Sequence, residues 1–592
     1  MRATAGVGAV VVALLPAGLV IAGARSPSNS AIKAATSIRS SLAATALVRS
    51  PVLAPDLGSV LSSSQHLGPL GPSTLLHLSL GLSGRNPGAL ERLLDEGKTV
   101  PTTEYDSRFG PGPGLVAATE KWLRAQGLRV SWSSGDAVLA VQGPAEDVEK
   151  AFSVSIGRYR TKARGAAQVT SFYAPSRPPS LPAGTGAVVT SVLGLDDYPL
   201  LSQPRPAGGA SCPGVAGPQA VGGFTPDDVA GFYNFGPLYK GGLNGAGQTV
   251  VFMEVDGFLP SDIQAYSRAF GLPPPEIAGP IVSQTWHTPA VIAYGTSGCL
   301  SETDLDLEVV HGMAPDAHLA VYQADPDQQG PPLTYVADAL QSAINTYPHS
   351  VYNISLLWCE DAASAQQFEA LFIQLVAGGG TAFVSSGDNG AYARGCPGHN
   401  LTTQEPADSP HAVGVGATTA LIGAGPSYGR EASWGEPLEQ WGTGGGLSAV
   451  FNRPSWQSGP GVVNRYSNGM RQIPDVSALG DLDTGWDIVI DGKWDMVGGT
   501  SAAAPLSAAL PALTDQALVH RHLAEVGFAN PAFYDFGSNP RHFPAPAFHP
   551  VTEGTNLYYP ATSTGWNYGT GWGTPNASAV VDDFIAYERG SG

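Results

Sequence analysis

Beyond residue 250, short apolar runs alternate with longer stretches in which apolar residues recur every three or four positions. The short runs predict buried strands, and the longer stretches predict helices with one apolar face. In chain order they are strand 250–254, helix 301–312, strand 319–322, helix 333–345, strand 351–357, helix 362–377, strand 381–385 and strand 412–416. Strands joined by helices form a mostly parallel sheet with helices on both faces, so this part is predicted to be α/β.

The N-terminal part has a different pattern, in which short strands and short helices are mixed. Its predicted elements are strand 75–80, helix 87–94 with Asn86 as its cap, helix 115–126, strands 128–133 and 137–142, helix 144–152 and a strand near 153–159. This order suits a small α+β sandwich, which we place at residues 65–198. A chain of 592 residues is too long for one core, and we expect a second domain at residues 223–592.

Three segments lack either pattern. Residues 25–64 are rich in Ser and Ala and predict a poorly ordered, low-complexity segment, whereas residues 199–222 are rich in Pro and Gly and predict a cleavable linker. Residues 1–24 carry one charge, at Arg2, before an apolar run that ends in Ala-Gly-Ala, which predicts a secretory signal peptide. A retained anchor is the alternative, and Pro16 disfavours it. We therefore expect a secreted, extracellular monomer without stable membrane association.

Charge is divided unevenly along the chain. Residues 1–218 carry 19 Lys+Arg and 13 Asp+Glu, and residues 219–592 carry 11 and 36, so net charges of +6 and −25 sum to −19. We expect the basic part to dock on the acidic part through an attraction that weakens once carboxylates are protonated. The alternative is that acidic charge only keeps an exported protein soluble. Nucleic-acid binding is disfavoured in both cases.

Four cysteines in an exported chain permit disulfides, and three pairings of Cys212, Cys299, Cys359 and Cys396 are possible. The sequence contains no C-x-x-C and no H-E-x-x-H motif. A structural or peptidase zinc site is therefore not predicted, and we assign no metal ligands.

The stretch from Gly498 to Pro505 places one serine at the start of an apolar, Ala-rich helix predicted over residues 501–517. Glycines permit the tight turn that a nucleophile needs, and the helix N-terminus favours negative charge at Ser501. An ordinary serine N-cap is the alternative for this segment taken alone.

Two acidic segments offer partners for this serine. Glu302 and Asp306 are four residues apart, so they share one face of a helix whose other residues are largely apolar. A buried acid pair shares a proton and provides a base that works in acid, although a solvated acidic face is the alternative. Asp388 follows strand 381–385 in a Gly-flanked turn, where it is either a turn residue or a protonated donor to an oxyanion.

These segments, together with Gly444-Gly445-Gly446 and Pro474-Asp475-Val-Ser, resemble the sedolisin family of serine carboxyl peptidases, which includes kumamolisin. The resemblance implies a subtilisin-like catalytic domain and an N-terminal activation propeptide that inhibits it. It further implies protein or peptide substrates.

The resemblance also implies roles for individual residues. Ser501 is the nucleophile, Glu302 the general base and later acid, Asp306 the group that orients Glu302, and Asp388 the oxyanion donor. Glu254 and Trp358 match positions that the family uses around the carboxylates and the substrate cleft. Gly444, Gly445 and Gly446 are expected to pair with an extended peptide.

The family binds calcium near its C-terminus through two Asp side chains. Here Pro550 and Asn567 stand at those positions. Proline offers no side-chain oxygen and asparagine no charge, so we expect weak or absent calcium binding and no cofactor. Packing of Trp566 and Trp572 is expected to hold the loop instead.

Rival interpretations remain. A subtilisin-like enzyme would use Asp256 and His311, but His311 ends its predicted helix instead of opening it. Within the sedolisin family, we favour an acid-active endopeptidase made as a zymogen over a tripeptidyl-peptidase. A catalytically inactive binding protein is the interpretation from another class.

Overall fold

The computed structural model describes residues 55, 57–161, 171–182, 184, 187–198, 201–202, 222–282, 302–324, 332–394, 396, 401–421, 427–562 and 564–590. The predicted signal peptide, most of the low-complexity segment and most of the linker lie outside these residues, as do Cys212 and Cys299. Cys359 and Cys396 form a disulfide. Within the described residues, no helix has the length and apolar character needed to cross a bilayer.

The described part up to residue 198, here called the N-terminal domain, contains short strands and helices. They are α1 Gly58–Ser63, β1 Gln65–Pro69, β2 Leu75–Leu82, α2 Pro87–Asp95, α3 Thr102–Arg108, α4 Pro113–Ala125, β3 Arg129–Ser131, β4 Val138–Pro144, α5 Ala145–Phe152, β5 Ile156–Arg160, β6 Ser171–Pro175 and β7 Val189–Leu193. An antiparallel sheet in the order β3-β4-β2-β7 forms its centre, beside a second sheet in the order β1-β5-β6. This matches the predicted α+β class.

The chain from residue 222 onward, here called the C-terminal domain, has longer helices. After β8 Leu201–Ser202, the elements are α6 Pro226–Phe232, α7 Gly236–Lys240, β9 Thr249–Glu254, α8 Pro260–Phe270, β10 Glu276–Val282, α9 Glu302–Met313, β11 His318–Gln323, α10 Pro332–Thr346, β12 Val351–Ile354, β13 Leu357–Cys359, α11 Ala362–Gly378, β14 Thr381–Ser385, β15 Gln404–Glu405, β16 Val413–Leu421, β17 Arg430–Ser433, β18 Gly435–Glu436, β19 Trp441–Gly442, β20 Gly446–Asn452, β21 Met470–Ile473, β22 Val476–Leu479, a 3₁₀ turn Leu482–Thr484, β23 Trp486–Ile490, β24 Lys493–Val497, α12 Thr500–Val519, α13 Ala529–Ser538, β25 Phe548–His549, β26 Thr574–Pro575 and α14 Ala577–Glu588.

The main sheet has the strand order β10-β11-β9-β12-β14-β16-β17, and β22 also pairs with β16. All these neighbours are parallel except β16 and β17. Helices α9 and α12 pack against each other on one face, in a core that includes Leu307 and Leu506. Helices α10 and α11 cover the other face in a second core. The predicted α/β architecture is thus confirmed, and the carboxyl ends of its parallel strands face one edge.

The N-terminal domain packs its central sheet against α10 and α11. Gln341 of α10 accepts a hydrogen bond from the Ala137 backbone N–H (2.7 Å), and Gln367 of α11 donates one to Ser79 Oγ (2.6 Å). Both glutamines are buried. These two links between the domains are therefore hydrogen bonds between neutral groups.

One ion pair crosses the contact among the described residues. It joins Glu91 of the N-terminal domain to His411 of the C-terminal domain at 3.6 Å. In this pair the acid belongs to the basic part of the chain and the cation to the acidic part, because local pairing depends on single side chains. The expected attraction between the net charges of the two parts stays a prediction.

Two segments predicted to lack structure are partly folded. In the low-complexity segment, α1 packs Val60 into a small core with Phe172 and Ala174. In the linker, β8 pairs with β13. The predicted strand 351–357 also divides into β12 and β13, which belong to different sheets.

Candidate active site

Ser501 is the second residue of α12, directly after a turn that requires glycine. Gly499 has a φ of 106°, and a Cβ on Gly498 would lie 2.7 Å from the Gly480 carbonyl oxygen. Ser501 is buried, and its Oγ has no hydrogen bond of ordinary geometry within the described structure. The turn therefore delivers an unengaged hydroxyl to the N-terminus of a buried helix, where partial positive charge favours an anion.

Glu302 opens α9, and its backbone position is fixed by Asp256. The Asp256 carboxylate accepts hydrogen bonds from the Glu302 N–H (2.8 Å) and from the Thr303 hydroxyl (2.5 Å). These donors belong to the unpaired first turn of the helix, so Asp256 acts as its cap. Sequence analysis treated Asp256 only as an imitation of a subtilisin aspartate.

Asp306, one turn further along α9, is fully buried and accepts hydrogen bonds from two residues near the end of β12. Asn353 Nδ2 donates to Asp306 Oδ2, and Ser355 Oγ donates to Asp306 Oδ1 at 2.9 Å. Glu254, the last residue of β9, also shares a hydrogen bond with Asp306. Sequence analysis placed Glu254 beside the acid pair but assigned no role to Asn353 or Ser355.

Burial raises the pKa of all three acids of this group. For Glu302 the negative charge of Asp306 raises the pKa further, and the nearby Ser501 hydroxyl lowers it. The pKa of Glu254 is also well above its usual value, because of burial and then the charge of Asp306. Burial raises the pKa of Asp306 to about 8, against hydrogen bonds from Ser355, Glu254 and Asn353. Protons are thus held between these carboxyls in acid and at neutral pH.

Asp388 follows β14 and contacts Thr500, the residue before Ser501. Its Oδ1 accepts hydrogen bonds from the Thr500 backbone N–H (2.7 Å) and from the Thr500 hydroxyl (2.9 Å). Burial raises the pKa of Asp388, although both bonds from Thr500 oppose the shift. No ion pair in the described part of the chain reaches Glu254, Glu302, Asp306 or Asp388.

Trp358 and the glycines at 444 to 446 make packing contacts that the sequence analysis did not predict. The Trp358 ring is buried, packs on Phe368 and donates a hydrogen bond from Nε1 to Glu405 at 2.6 Å. These contacts hold β13 in place. A Cβ on Gly444 would lie 1.9 Å from the Ser386 carbonyl oxygen, and one on Gly445 2.0 Å from that of Tyr568. Close backbone packing thus explains why glycine is needed at 444 and 445, and peptide pairing along Gly444, Gly445 and Gly446 stays a prediction.

His311 does not belong to the site. It lies in the last turn of α9, with Nε2 3.1 Å from the Pro273 carbonyl oxygen, and burial lowers its pKa to about 4. With Asp256 engaged as a helix cap, these two residues do not form the Ser-His-Asp arrangement of a subtilisin.

The C-terminal loop that would hold calcium does not fit a cation. Asn567 Oδ1 accepts hydrogen bonds from the N–H groups of Gly569 (2.9 Å) and Thr570 (3.0 Å), while Nδ2 donates to the Val551 carbonyl oxygen (3.3 Å). Pro550 is exposed and has no oxygen in its side chain. Calcium needs several oxygen ligands, but the Asn567 amide already occupies these groups.

Three carboxylates outside the active centre lie within 4.8 Å of one another, at Glu436, Asp481 and Asp483. Glu436 accepts from Trp434 Nε1 (2.8 Å), and Asp481 accepts from the Thr419 hydroxyl and from the Asp483 N–H (2.9 Å). Burial and the adjacent Asp481 raise the pKa of Glu436 to about 7. A proton held by Glu436 therefore relieves its repulsion with Asp481.

Comparison with known proteins places this centre in a family. The model of the pro-kumamolisin activation domain matches residues 62–198, and that of the subtilase family matches residues 285–525. Kumamolisin from Bacillus sp. (strain MN-32) is 31% identical over 491 residues, which cover 78% of this chain and 81% of that protein. The chain belongs to the sedolisin family. It is therefore a serine carboxyl peptidase with an N-terminal activation domain.

Two further relatives extend the comparison. The solved structure of Pseudomonas sedolisin, complexed with two molecules of pseudo-iodotyrostatin, has a TM-score of 0.54, 31% identity, and coverage of 64% of this chain and 99% of its own. Bovine tripeptidyl-peptidase 1 is 26% identical over 554 residues, covering 87% of this chain and 92% of its own. The sedolisin structure thus aligns with about two thirds of the chain, and tripeptidyl-peptidase 1 aligns with most of it.

Proposed function

We propose that this sedolisin-family protein is a secreted, acid-active endopeptidase made as a zymogen, with Ser501 as its nucleophile. The observation that supports this proposal is the position of Ser501, whose hydroxyl lies near Glu302 and whose neighbour Thr500 hydrogen-bonds Asp388. A serine with carboxyl partners and no histidine needs a medium in which one partner stays protonated. The single charge at Arg2, followed by an uncharged apolar run, supports export.

In the proposed reaction, Glu302 takes the Ser501 proton while Oγ attacks the peptide carbonyl carbon. Asp306 stabilises the protonated form of Glu302, and protonated Asp388 donates a hydrogen bond to the oxyanion. Glu302 then gives its proton to the leaving amine. In the second half, Glu302 removes a proton from water, which attacks the acyl-enzyme, and returns a proton to Ser501.

The segment after the N-terminal domain supports the zymogen proposal. Strand β8 pairs antiparallel with β13, so that Ser202 lies opposite Leu357 and Leu201 opposite Trp358. Two residues before Leu357 stands Ser355, which hydrogen-bonds Asp306. The start of the linker thus approaches the catalytic acids as an extended strand, in the manner of a bound peptide. We propose that the N-terminal domain inhibits the enzyme and that acid triggers cleavage within residues 199–222.

The decisive experiment compares wild type with Ser501→Ala at pH 4 and pH 7, with acid-denatured globin as substrate. We expect peptides from wild type at pH 4 only and an uncleaved Ser501→Ala chain at both pH values. Equal activity of the two proteins would refute the nucleophile assignment. Absence of peptides from both would favour an inactive binding protein.

Cleavage mode is tested on one unstructured protein by mass spectrometry. Internal fragments of mixed length support the endopeptidase, whereas a ladder of N-terminal tripeptides supports a tripeptidyl-peptidase, for which bovine tripeptidyl-peptidase 1 is the precedent among relatives.

We also propose that the C-terminal loop is closed by Asn567 without calcium. Trp566, which donates from Nε1 to the Pro474 carbonyl oxygen at 2.9 Å, completes the closure. The melting temperature should be equal in EDTA and in millimolar calcium. In the double variant Pro550→Asp with Asn567→Asp, calcium should raise it. A fall in the wild-type melting temperature on chelation would overturn this proposal.

A further inference from the structure

Thr500, the residue before the proposed nucleophile, connects two loops of the active centre. It is fully buried at the first position of α12. Its hydroxyl accepts a hydrogen bond from the Gly387 backbone N–H at 3.0 Å and lies 2.9 Å from Asp388 Oδ1. One side chain thus touches both residues of the turn that follows β14.

The directions of these hydrogen bonds are fixed by the donors. A backbone N–H can only donate, so the Thr500 oxygen is the acceptor of the bond from Gly387. The hydroxyl proton of Thr500 must then go elsewhere, and within the described residues Asp388 Oδ1 is its acceptor. Because the Thr500 backbone N–H also donates to Oδ1, that oxygen receives two hydrogen bonds.

The other oxygen of the carboxyl has a different environment. Oδ2 receives no hydrogen bond in the described structure, and it faces Gly499, where an added Cβ would lie 3.1 Å away. A carboxylic acid carries its proton on the oxygen that is not already accepting strong hydrogen bonds. When Asp388 is protonated, the proton therefore belongs on Oδ2, which faces the Gly499 turn next to Ser501.

We infer that Thr500 is a positioning residue, which holds Asp388 so that its acid proton points from Oδ2 toward the oxyanion. This inference rests on the proposed function, because it assumes that Asp388 donates during peptide hydrolysis. Thr500 itself touches neither substrate nor the reacting atoms. Without the Thr500 hydroxyl, the Asp388 carboxyl would be free to rotate and to present either oxygen to the oxyanion.

Thr500 also affects the pH range in which Asp388 is protonated. Burial raises the pKa of Asp388, and the two hydrogen bonds from Thr500 lower it. The charged group that faces Asp388 from the other described elements is Glu302 of α9. Loss of the Thr500 hydroxyl removes one stabilising bond to the carboxylate, so the pKa of Asp388 rises. The alkaline limit of activity should then move to higher pH.

The test uses the full chain, matured in acid, with Thr500→Val, Thr500→Ser and a matched control. Thr514→Val is the control, since Thr514 is buried in the same helix and its hydroxyl bonds only the Leu510 carbonyl oxygen within the described residues. We expect Thr500→Val to lower kcat about tenfold or more with KM within about twofold, and to move the alkaline limb upward. Thr500→Ser should restore both values, and Thr514→Val should match wild type.

Two results would overturn the inference. One is a Thr500→Val enzyme with wild-type kcat and an unmoved alkaline limb. The other is an equal fall in Thr500→Val and Thr500→Ser with both limbs unmoved. If Thr500→Val does not fold, as judged by its melting temperature, Thr500→Ala takes its place with the same expected results. Ser501→Ala is assayed in parallel, because activity in that variant refutes the proposed function itself, whatever Thr500 does.

Discussion

The active centre and the contact between the two domains both contain buried or half-buried carboxyl groups, but only the contact supplies a cation. At the centre, Glu254, Glu302, Asp306 and Asp388 all have raised pKa values and no ion pair among the described residues. At the contact, His411 lies 2.7 Å from Glu369 and 3.6 Å from Glu91. Burial alone would lower the pKa of His411, but the two glutamates raise it to about 10.

This difference gives acid two opposite effects. The centre takes up protons as pH falls, and Asp388 reaches the protonated state that the proposed mechanism requires of it. The contact loses one interaction, because burial would raise the pKa of Glu91 but the His411 cation lowers it overall. Such a group stabilises docking above its free pKa near 4.5 and loses this contribution as pH falls through its lower, docked value. Acid therefore protonates the centre and weakens the Glu91–His411 pair at the contact.

Removing the base from the centre should have the largest effect. Glu302→Gln keeps the shape of the side chain but cannot take a proton, so kcat should fall about 10⁴-fold. The melting temperature at pH 7 should not fall, because a neutral amide removes the cost of a buried acid whose pKa is raised. Peptide hydrolysis and thermal unfolding measure the two results. A large loss of stability would instead make Glu302 a structural residue like Glu369.

The pH profile of the mature wild type tests the centre without mutation. Asp388 must be protonated to donate to the oxyanion, and burial raises its pKa. Activity should therefore persist above the ordinary Asp pKa of 3.8 and fall at higher pH, as Asp388 loses its proton. Stopped assays on an unstructured peptide measure this fall. A pH profile without an alkaline limb would show that activity does not depend on a protonated Asp388, and the contrast with the contact would lose its basis at the centre.

The sequence predicted the centre best where residues have a regular spacing. Glu302 and Asp306 are four apart in a helical pattern, and Asp388 and Ser501 stand at glycine turns, so their placement followed from local rules. Asp256, Asn353 and Ser355 are short polar residues in loops and at strand ends. Their roles depend on which helix the fold brings to them, which no local pattern records.

The fold shows the same division between local and long-range information. Alternating apolar runs located β9, β11, β12, β14 and β16 of the main sheet within a few residues. The predicted helix 501–517 contains Pro511, and α12 continues to Val519 because its packing in the core outweighs the loss of a backbone hydrogen bond. The pairing of β8 with β13 depends on residues more than 150 positions apart, and composition alone therefore assigned Leu201 and Ser202 to an exposed linker.

The ion pair at the contact is tested by Glu91→Gln. The Glu91 side chain is 47% exposed, so solvent screens the pair and the expected effect is modest. Conversion of the full chain to the mature form should be about threefold faster at pH 5 to 6, and the difference should disappear as pH falls through the lowered pKa of Glu91. Gel analysis over time gives the rates. Glu120→Gln, which breaks an ion pair within the N-terminal domain, is the control and should leave conversion unchanged.

The smallest expected effect concerns a carboxyl at the contact that has no cation. Asp338 of α10 lies 3.5 Å from Ser79 Oγ, and burial raises its pKa to about 8, helped by the charge of Asp136 and opposed by the bond from Ser79. A raised pKa means that docking is favoured in acid and weakened as pH rises above the free value near 3.8. Asp338 therefore acts against Glu91.

In a Ser501→Ala background, which prevents cleavage, Asp338→Asn should raise the melting temperature of the full chain by a few degrees at pH 8 and leave it unchanged at pH 3.5. The exposed Asp582→Asn provides the control for a general loss of negative charge. A fall at pH 8 would show that the ionised Asp338 carboxylate stabilises the contact. In that case Asp338, like Glu91, would stabilise the contact in its charged form. The contact would then favour charged carboxyls throughout, whereas the active centre favours protonated ones.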